Sequence, residues 1–392
     1  MLLDVIFGSF ALLSFALLVW QWLVARSFPL HRRIAAHSFP PAVTLLKPLK
    51  GCEASTENCL RSWFAQEYTG RVQILFGVAS AEDPVCAVVR KLQREFPDSD
   101  ARLIVCGPLS GANAKVSKLM ELERLAQHEL LIISDADVRA PADFVANVVE
   151  PLRDPVPFYD TKKRGGVKGC GLVTCFYRLA NPATLAMQWE AIAINADFWS
   201  QVLQSRSLRP LDFALGAVMA TRRKQVEEIG GFAALVDCLA DDYQLGNRIA
   251  RRGYRIALST VVVECWSAPM NWGAVWKHQL RWARTIRVCQ PAPYFFSVLN
   301  NATFWPLLWV AAKPSLVSLL FALVCCVARI AIARDLQARL LGRPFTISRW
   351  WIVPSKDLFQ TALWLLAFTG NRIEWRGERM RLRRDGTLER VT

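Results

Sequence analysis

The stretch Leu130-Leu-Ile-Ile-Ser-Asp-Ala-Asp137 places two carboxylates directly after a short apolar run. The run predicts a buried β-strand that ends near Ser134. In open α/β sheets, ligands bind beyond the carboxyl ends of the strands, and carboxylate oxygens there suit Mg²⁺ or Mn²⁺ bound to a diphosphate. Asp135 and Asp137 are therefore candidate metal ligands, and the alternative is an ordinary turn or helix cap.

Similar apolar runs precede this stretch and alternate with amphipathic segments. The predicted strands begin at residues 43, 72 and 102, and the predicted helices cover residues 55–66, 84–95 and 114–127. Strands that alternate with helices predict an α/β domain with a largely parallel sheet. Residues 153–168 combine Pro, Gly and basic side chains, and they predict an exposed loop that divides the domain into two halves.

The composition favours a membrane protein. The 392 residues are 53% hydrophobic and carry a formal net charge of +15. The basic residues cluster beside apolar segments and in the C-terminal tail, which indicates contact with anionic lipid headgroups and argues against a nucleic-acid partner. The 11 Cys include no C-x2-C pair, so they predict buried, reduced thiols rather than a zinc site.

Residues 2–25 are long and apolar enough to cross the ~30 Å hydrocarbon core of a bilayer, with Asp4 as the one acidic interruption. A cleaved signal peptide would begin with basic residues, and this segment does not. Arg26, Arg32 and Arg33 follow the apolar run, so the positive-inside rule places the next segment in the cytoplasm.

The chain becomes apolar again after residue 290. Residues 302–312 and 315–334 predict a helical hairpin with Lys313-Pro314 at its tip, in which Arg329 must snorkel or pair. Residues 347–369 are broken by Pro354-Ser-Lys-Asp357, which predicts a re-entrant or kinked segment as readily as a full span. The predicted divisions are an N-terminal transmembrane helix (1–27), a cytoplasmic catalytic domain (40–270), an interfacial helix region (271–296), C-terminal transmembrane or re-entrant segments (297–371) and a basic cytoplasmic tail (372–392).

Two further motifs contain groups able to do chemistry. Ala240-Asp-Asp-Tyr243 offers one Asp to cap a helix and another to act as a base, because adjacent carboxylates raise each other's pKa. His278-Gln-Leu-Arg-Trp282 places His278, Arg281 and Trp282 near one helical face, where Arg can grip a phosphate; the alternative is a basic interfacial helix. Lys115, in Gly111-Ala-Asn-Ala-Lys115, is a weaker candidate for approaching a phosphate.

In their order, these motifs resemble those of the ceramide glucosyltransferase family, a branch of the GT-A glycosyltransferases. The residues that carry the resemblance are Lys47-Pro-Leu-Lys-Gly51, Gly111-Ala-Asn-Ala-Lys115, Ser134-Asp-Ala-Asp137, Ala240-Asp-Asp-Tyr243, His278-Gln-Leu-Arg-Trp282 and the tail Trp375-Arg-Gly-Glu-Arg-Met-Arg-Leu-Arg. The resemblance covers nearly the whole chain. It implies a GT-A Rossmann-like mixed sheet with helices on both faces, together with N- and C-terminal transmembrane helices.

The resemblance also implies residue roles. Asp135 and Asp137 match the Asp-x-Asp that holds metal and nucleotide-sugar, and Asp242 matches the catalytic base. Arg281 and Trp282 match the end of a signature expected to engage the diphosphate and the acceptor. The full set of candidate substrate-binding residues is Lys50, Glu82, Asp83, Lys115, Asp135, Asp241, His278, Arg281 and Trp282.

The sequence departs from the family pattern at two places. His278 stands where the signature begins with Gln or Arg, and it carries charge only when protonated. Ser80 stands where a nucleotide-binding Asp is usual, which leaves Glu82 or Asp83 as substitutes.

The implied activity is inverting, metal-dependent transfer of glucose from UDP-glucose to the primary hydroxyl of ceramide or a ceramide-like lipid. Mg²⁺ or Mn²⁺ is the implied cofactor, and the implied partners are a UDP-sugar, a lipid acceptor and a membrane. We expect an integral, multi-pass protein of the bacterial inner membrane, or of the Golgi or ER membrane in a eukaryote. The alternatives are a bacterial hopanoid N-acetylglucosaminyltransferase, a processive polysaccharide synthase, and a non-catalytic membrane scaffold.

Overall fold

An eight-stranded mixed sheet forms the centre of the molecule, and a three-stranded sheet follows the last helix. The computed structural model describes residues 2–34, 40–153, 168–344, 349–375 and 378–390. The strands are β1 (Val43–Pro48), β2 (Val72–Val78), β3 (Asp100–Val105), β4 (Leu130–Ser134), β5 (Val138–Arg139), β6 (Lys168–Leu179), β7 (Val218–Arg222), β8 (Tyr254–Cys265), β9 (Arg372–Trp375), β10 (Glu378–Leu382) and β11 (Leu388–Arg390).

The α-helices pack around the large sheet and extend beyond it. They are α1 (Leu2–Ser27), α2 (Thr56–Phe64), α3 (Val85–Glu95), α4 (Ala114–Leu125), α5 (Phe144–Val149), α6 (Leu185–Ile192), α7 (Trp199–Leu208), α8 (Arg223–Glu228), α9 (Asp241–Arg251), α10 (Trp272–Cys289), α11 (Pro291–Phe296), α12 (Phe304–Ala312), α13 (Leu316–Leu341) and α14 (Ile352–Phe368). A π-helical turn at Ala193–Phe198 joins α6 to α7.

The large sheet has the strand order β3-β2-β1-β4-β7-β6-β8-β5. Its first four strands are parallel, whereas β7 runs antiparallel to both β4 and β6. Every residue of β1 and β4 is buried, as parallel strands require when helices cover both faces. One core packs α2, α3 and α5 against one face, and a second core packs α4 and the later helices against the other. The predicted α/β class with helices on both faces is confirmed.

Within the described ranges, two helices, α1 and α13, are long and apolar enough to cross a membrane. A third crossing is available if α12 and the helical residues 291–300, bent by 59°, form one span. Lys313, at the tip before α13, pairs with Asp4 at the start of α1 at 2.7 Å. At the other end, the Trp22 indole donates to Asp335 at 2.8 Å. Therefore α1 and α13 run in the same direction, and both end on the side of the large sheet.

Arg329 lies inside α13 and does pair, as its position in an apolar helix predicts. Its guanidinium contacts Asp197 at 2.8 Å and Asp357 at 2.9 Å. Lys356 also bonds Asp197 and lies 3.5 Å from Asp357, and Thr303 donates to Asp357 at 2.7 Å. Two cations and two carboxylates thus form a balanced buried cluster, which we call the ion tetrad (Asp197, Arg329, Lys356, Asp357).

The sequence-based description of the C-terminal part was wrong at one point. The break predicted at Pro354–Asp357 is absent, because α14 runs through it without interruption. Pro354 lies in the first turn of the helix, where a backbone N–H has no intrahelical partner to lose. The loop predicted at 153–168 falls almost wholly outside the described residues.

The segment predicted as a basic tail forms the three-stranded sheet of β9, β10 and β11. This sheet packs on the loop before α9. The Leu388 N–H donates to the Asp237 carbonyl at 2.7 Å, and the Leu239 N–H donates to the Gly386 carbonyl at 3.2 Å. Leu239 enters the small core of the sheet. The terminal sheet is therefore a clamp on residues 237–239.

Candidate functional site

A single buried lysine joins two of the sequence motifs. Lys115, in the first turn of α4, lies 2.8 Å from the Asp135 carboxylate and 3.0 Å from the Asp241 carboxylate. Burial disfavours its charge, but the attraction of Asp135 and Asp241 outweighs burial and raises the pKa of Lys115 well above its ordinary value. The end of β4 and the first turns of α4 and α9 therefore meet at Lys115, and we call this junction the cleft.

Asn113 holds the start of α4 in this arrangement. Its side-chain oxygen accepts from the Lys115 N–H at 3.0 Å, which is the usual N-cap interaction. Its amide nitrogen donates to the Cys238 carbonyl at 2.8 Å and to Asp241 at 3.4 Å. The same residue therefore caps one helix and positions the carboxylate at the start of another.

Asp242 faces the cleft from the first turn of α9, and the expected side-chain cap is absent because Ala240 occupies the N-cap position. Its Oδ1 accepts from the Tyr243 N–H at 2.8 Å. A Cβ on Gly216 would lie 2.7 Å from Asp242 Oδ2, so glycine leaves room for the carboxylate. Burial, followed by the charge of Asp241, raises the pKa of Asp242 to about 6. A carboxylate with this pKa is suited to accept a proton near neutrality.

Asp137 lies on the other side of Asp135. Its backbone carbonyl accepts from the Trp266 N–H at 3.0 Å, which ties it to the end of β8. Asp137 is exposed, although it lies close enough to the surrounding protein to lose part of its hydration. This partial loss of hydration, followed by the charge of Asp135, raises the pKa of Asp137 to about 6.

The two carboxylates fit a divalent ion that is shared with a ligand. In the described ranges, no group of three His, Cys, Asp or Glu side chains is placed to hold a metal by itself. Mg²⁺ and Mn²⁺ commonly bind through one or two carboxylates and complete their shells with water and phosphate oxygens. Asp137, exposed and repelled by Asp135, is the side chain best placed to gain from such a cation.

Lys47 belongs to the site and was not among the candidates. It is fully buried on β1 and donates to the Ser134 hydroxyl at 3.2 Å and to the Asp135 carbonyl. Burial lowers the pKa of Lys47 to about 8, against the opposing attraction of Asp137. The signal in the sequence was a lysine inside an apolar strand, since a lone buried charge needs a partner.

The helix α10 presents His278 towards α6 and Trp282 towards the π-helical turn. His278 Nδ1 lies 2.6 Å from Glu190 Oε1, and Gln279 donates to the same oxygen at 2.8 Å. Glu190 is 1% exposed and sits in the otherwise uncharged helix α6, a signal the sequence reading missed. Trp282 packs on the His278 ring at 5.0 Å and on Phe198 at 5.7 Å. Arg281 lies half-buried on the same helix.

The remaining candidates lie together at the edge beside β2. Asp83 accepts from the Gly51 N–H with both carboxylate oxygens at 3.0 Å. Glu82 is exposed and accepts from the Ser80 hydroxyl. Lys50 is exposed on the adjoining loop. Asp83 therefore positions the loop after β1, and Glu82 is the carboxylate that faces solvent.

The sequence profile of glycosyl transferase family 21 matches residues 6–388 of this chain. The chain belongs to glycosyl transferase family 21. As a family 21 glycosyltransferase, it combines the cleft of β4, α4 and α9 with apolar helices at both ends. The resemblance noted from its motifs is confirmed.

Several curated relatives are similar over part of their length. Ceramide glucosyltransferase 3 of Caenorhabditis elegans is 24% identical over 235 residues, which are 59% of this chain and 48% of the relative. A ceramide glucosyltransferase of Candida albicans is 30% identical over 121 residues, 28% of this chain and 22% of the relative. Probable glycosyltransferase YdaM of Bacillus subtilis is 22% identical over 250 residues, 62% and 55% respectively. The family 21 chain spans about half or less of the length of these relatives.

Among solved structures, a mannosyltransferase from Pyrobaculum calidifontis in complex with GDP-Man and Mn²⁺ is similar in fold. It has a TM-score of 0.53 and 20% identity, and the match covers 94% of this chain and 98% of that one. At this identity the likeness establishes the fold alone. The GT-A-like fold expected for the family 21 chain is confirmed.

Proposed function

We propose that this family 21 glycosyltransferase transfers glucose from UDP-glucose to the primary hydroxyl of ceramide or a ceramide-like lipid, with inversion and with a divalent metal. The observation that carries the proposal is the placement of Asp242, half-buried in the first turn of α9 with its carboxylate against Gly216. The adjoining Asp241 pairs with Lys115, which also holds Asp135 at 2.8 Å. The relatives named as ceramide glucosyltransferases support the choice of sugar and acceptor.

The chemistry is a single displacement. The lipid hydroxyl oxygen attacks the anomeric carbon, the bond from that carbon to the diphosphate breaks, and Asp242 takes the hydroxyl proton. Arg281 is assigned to the departing diphosphate, since a guanidinium binds phosphate oxygens in a fork. Trp282, whose ring packs edge-on against His278, is assigned to the acceptor side. These roles require no covalent intermediate on the protein.

Asp137 and Asp135 are the residues proposed to hold Mg²⁺ or Mn²⁺ with the diphosphate. When bound, the ion would stabilise negative charge on the leaving group. Lys115 keeps Asp135 in place through the 2.8 Å ion pair. The diphosphate would thus bind beside Asp135, Asp137 and Lys115, which the fold already holds in place. Asp242 would accept the proton of the acceptor hydroxyl.

An apolar pocket supports a lipid acceptor. It has a volume of about 130 Å³ and lies between α6, α10 and α14, with Trp189, Trp272 and Phe359 among its lining residues. The Trp189 and Trp272 rings lie 6.3 Å apart. Trp189 adjoins Glu190, which contacts His278 at 2.6 Å. An acyl chain entering here would bring its polar end towards the α10 motif.

We further propose a multi-pass membrane protein whose catalytic domain is cytoplasmic. The parallel helices α1 and α13 both end on the side of the catalytic domain. Arg26, Arg32 and Arg33 follow α1 on that side, where the positive-inside rule places cationic residues. The corresponding location is a bacterial inner membrane, or the ER or Golgi membrane in a eukaryote.

The deciding experiment is turnover by the purified full chain with a panel of donors and acceptors. UDP-glucose and UDP-N-acetylglucosamine are each offered with ceramide or a hopanoid, with and without Mn²⁺ or Mg²⁺. The lipid product is identified by its mass in a mass spectrometer. We expect glucosylceramide, dependent on the metal and formed far more slowly by Asp242→Asn. A hopanoid carrying N-acetylglucosamine, or a long polymer, would overturn the proposal in favour of that activity. Absence of UDP-sugar binding would favour a scaffold.

The pH profile of the reaction is a separate prediction. Asp242 must be ionised to accept a proton, and its pKa of about 6 lies above that of a free Asp. We therefore expect kcat/KM to fall as the pH drops through 6, with loss of about tenfold per pH unit below it. Asp137, also near 6, adds to this decline unless saturating metal displaces its proton. A rate that stays level down to pH 4.5 would contradict Asp242 as the base.

A further inference from the structure

A groove outside the catalytic cleft concentrates positive charge. It has a volume of about 1030 Å³ and lies between the second half of α10, the end of α14 and the terminal sheet. Among the described residues that line it, Glu389 is the one acidic residue, and Glu389 already pairs with Arg383 at 3.0 Å. We call it the arginine groove, after the six arginines that line it: Arg284, Arg287, Arg372, Arg381, Arg384 and Arg390.

The groove holds like charges next to one another. Arg372 and Arg381 are direct cross-strand neighbours in β9 and β10, an arrangement that destabilises a sheet when nothing lies between the charges. Arg284 and Arg287 follow one another on α10, and burial together with the charge of Arg287 lowers the pKa of Arg284. A bound anion would relieve this repulsion.

Two of these arginines are fixed in position by the protein. Arg284 donates to the Arg372 carbonyl, and Arg287 donates to the Asn371 side chain. The Nε atoms of Arg284 and Arg287 are nevertheless buried without a hydrogen-bond partner among the described residues. Buried donors are normally satisfied, so Arg284 and Arg287 keep hydrogen-bonding capacity that the described protein groups do not use.

The groove is distinct from the catalytic site. On the 3.6-residue period of α10, Arg284 and Arg287 lie on the face opposite His278 and Trp282. Trp282 packs towards Phe198 on the catalytic side. A ligand in the groove therefore contacts neither Asp242 nor the group formed by Lys115, Asp135 and Asp137.

The rim of the groove is aromatic and exposed. Phe368 lines it and is 41% exposed, while Phe295 and Phe296 on the neighbouring α11 are 53% and 60% exposed. The Phe295 and Phe368 rings lie 6.3 Å apart. Exposed aromatic side chains beside apolar helices are typical of the membrane interface.

From the charge and the rim together, we propose that the arginine groove binds the phosphate headgroup of an anionic phospholipid, with its acyl chains against Phe295, Phe296 and Phe368. Guanidinium groups bind phosphate oxygens through paired hydrogen bonds. A soluble phosphate ligand would use the arginines but would leave the aromatic rim in water. The lipid satisfies both parts of the surface.

The test uses the full chain in a neutral detergent, titrated by calorimetry with dihexanoyl phosphatidylglycerol. The double variant Arg381→Gln/Arg384→Gln removes two exposed groove charges. Each such charge near a lipid surface contributes about 1 kcal/mol, so we expect roughly thirtyfold weaker binding. The matched control is Arg90→Gln/Arg94→Gln, which removes two exposed arginines from α3 and should leave binding unchanged.

Dihexanoyl phosphatidylcholine, inorganic phosphate and UDP form the comparison arms. Binding of phosphatidylglycerol that weakens with added salt, and no comparable binding of the three other ligands, would support the proposal. Equal affinity of the groove variant and the control variant for phosphatidylglycerol would overturn it. So would binding of phosphate or UDP in preference to the lipid, which would assign the groove to a soluble ligand. A Tm no lower than that of the unsubstituted protein confirms that each variant is folded.

Discussion

Asp242→Asn is expected to slow glycosyl transfer by about 10²–10⁴-fold, the range that a positioned general base contributes. Asparagine keeps the size of the side chain and can still accept from the Tyr243 N–H, which is 2.8 Å from Asp242 Oδ1. It cannot take the proton of the attacking hydroxyl. The measurement is single-turnover product formation at saturating donor, with donor affinity measured separately by calorimetry and expected to remain unchanged.

Two companion variants make this result specific. Glu228→Gln removes a carboxylate that accepts from the Tyr254 hydroxyl far from the cleft, and it should keep the normal rate. Gly216→Ala brings a methyl group to 2.7 Å from Asp242 Oδ2 and should slow transfer by displacing the carboxylate. Wild-type turnover by Asp242→Asn would mean that another group is the base.

The stability of Asp242→Asn provides a further check on the electrostatics. A carboxyl whose pKa is raised by folding stabilises the protein below its unfolded pKa, and this contribution is lost as the pH rises through 6. At pH 7 the ionised Asp242 is therefore unfavourable to the fold. We expect the Asn variant to have an unchanged or higher Tm at pH 7, which separates loss of chemistry from loss of structure.

Removing one carboxylate from the ion tetrad is expected to have the largest effect on stability. Asp357→Ala takes away a side chain that is 5% exposed and that bonds Arg329 at 2.9 Å and Thr303 at 2.7 Å. Breaking a buried pair from one side leaves an uncompensated charge and lowers the free energy of unfolding by about 3–5 kcal/mol. The measurement is thermal unfolding of the purified protein in detergent, followed by loss of tryptophan fluorescence.

A balanced double variant distinguishes charge balance from packing. Lys356→Met combined with Asp357→Asn removes one charge of each sign, so we expect it to destabilise less than Asp357→Ala alone. Arg102→Ala, which breaks an exposed ion pair to Asp100 at 2.9 Å, should leave Tm within error. If the Tm of Asp357→Ala equals the Tm of Arg102→Ala, the ion tetrad contributes nothing to the stability of the fold.

The catalytic half of the fold could be predicted from sequence because its signals are local. The apolar runs in β1, β2 and β4 are bounded by helices with a clear period, and the Asp-x-Asp stretch marks the carboxyl edge of β4. Parallel pairing then brings the ends of such strands to one edge without further information. That is why Asp135 and Lys115, which come from separate motifs, lie 2.8 Å apart.

What the sequence did not reveal depends on pairing between distant segments. Glu190 and Lys47 are each the one charged residue of an otherwise mostly apolar element. Their partners, His278 and Ser134, lie 88 and 87 positions away. Pro354 was read as a break because its position within a helical turn cannot be judged before the start of α14 is known. The terminal sheet was not predicted because its many basic residues indicated a tail at the membrane surface. The alternation of buried and exposed residues in β10 is too short to indicate a strand by itself.

The clamp that the terminal sheet places on residues 237–239 also bears on how the enzyme is made. Translation completes the loop before Asp242 early, yet β10 and β11, which hold that loop, emerge only after α11 to α14. The apolar helices α12 and α13 are therefore synthesised before the strands that hold this loop. If Asp242 is the base, as proposed, a nascent chain without these strands lacks the contacts beside it, and sugar transfer begins only after the apolar helices have been made.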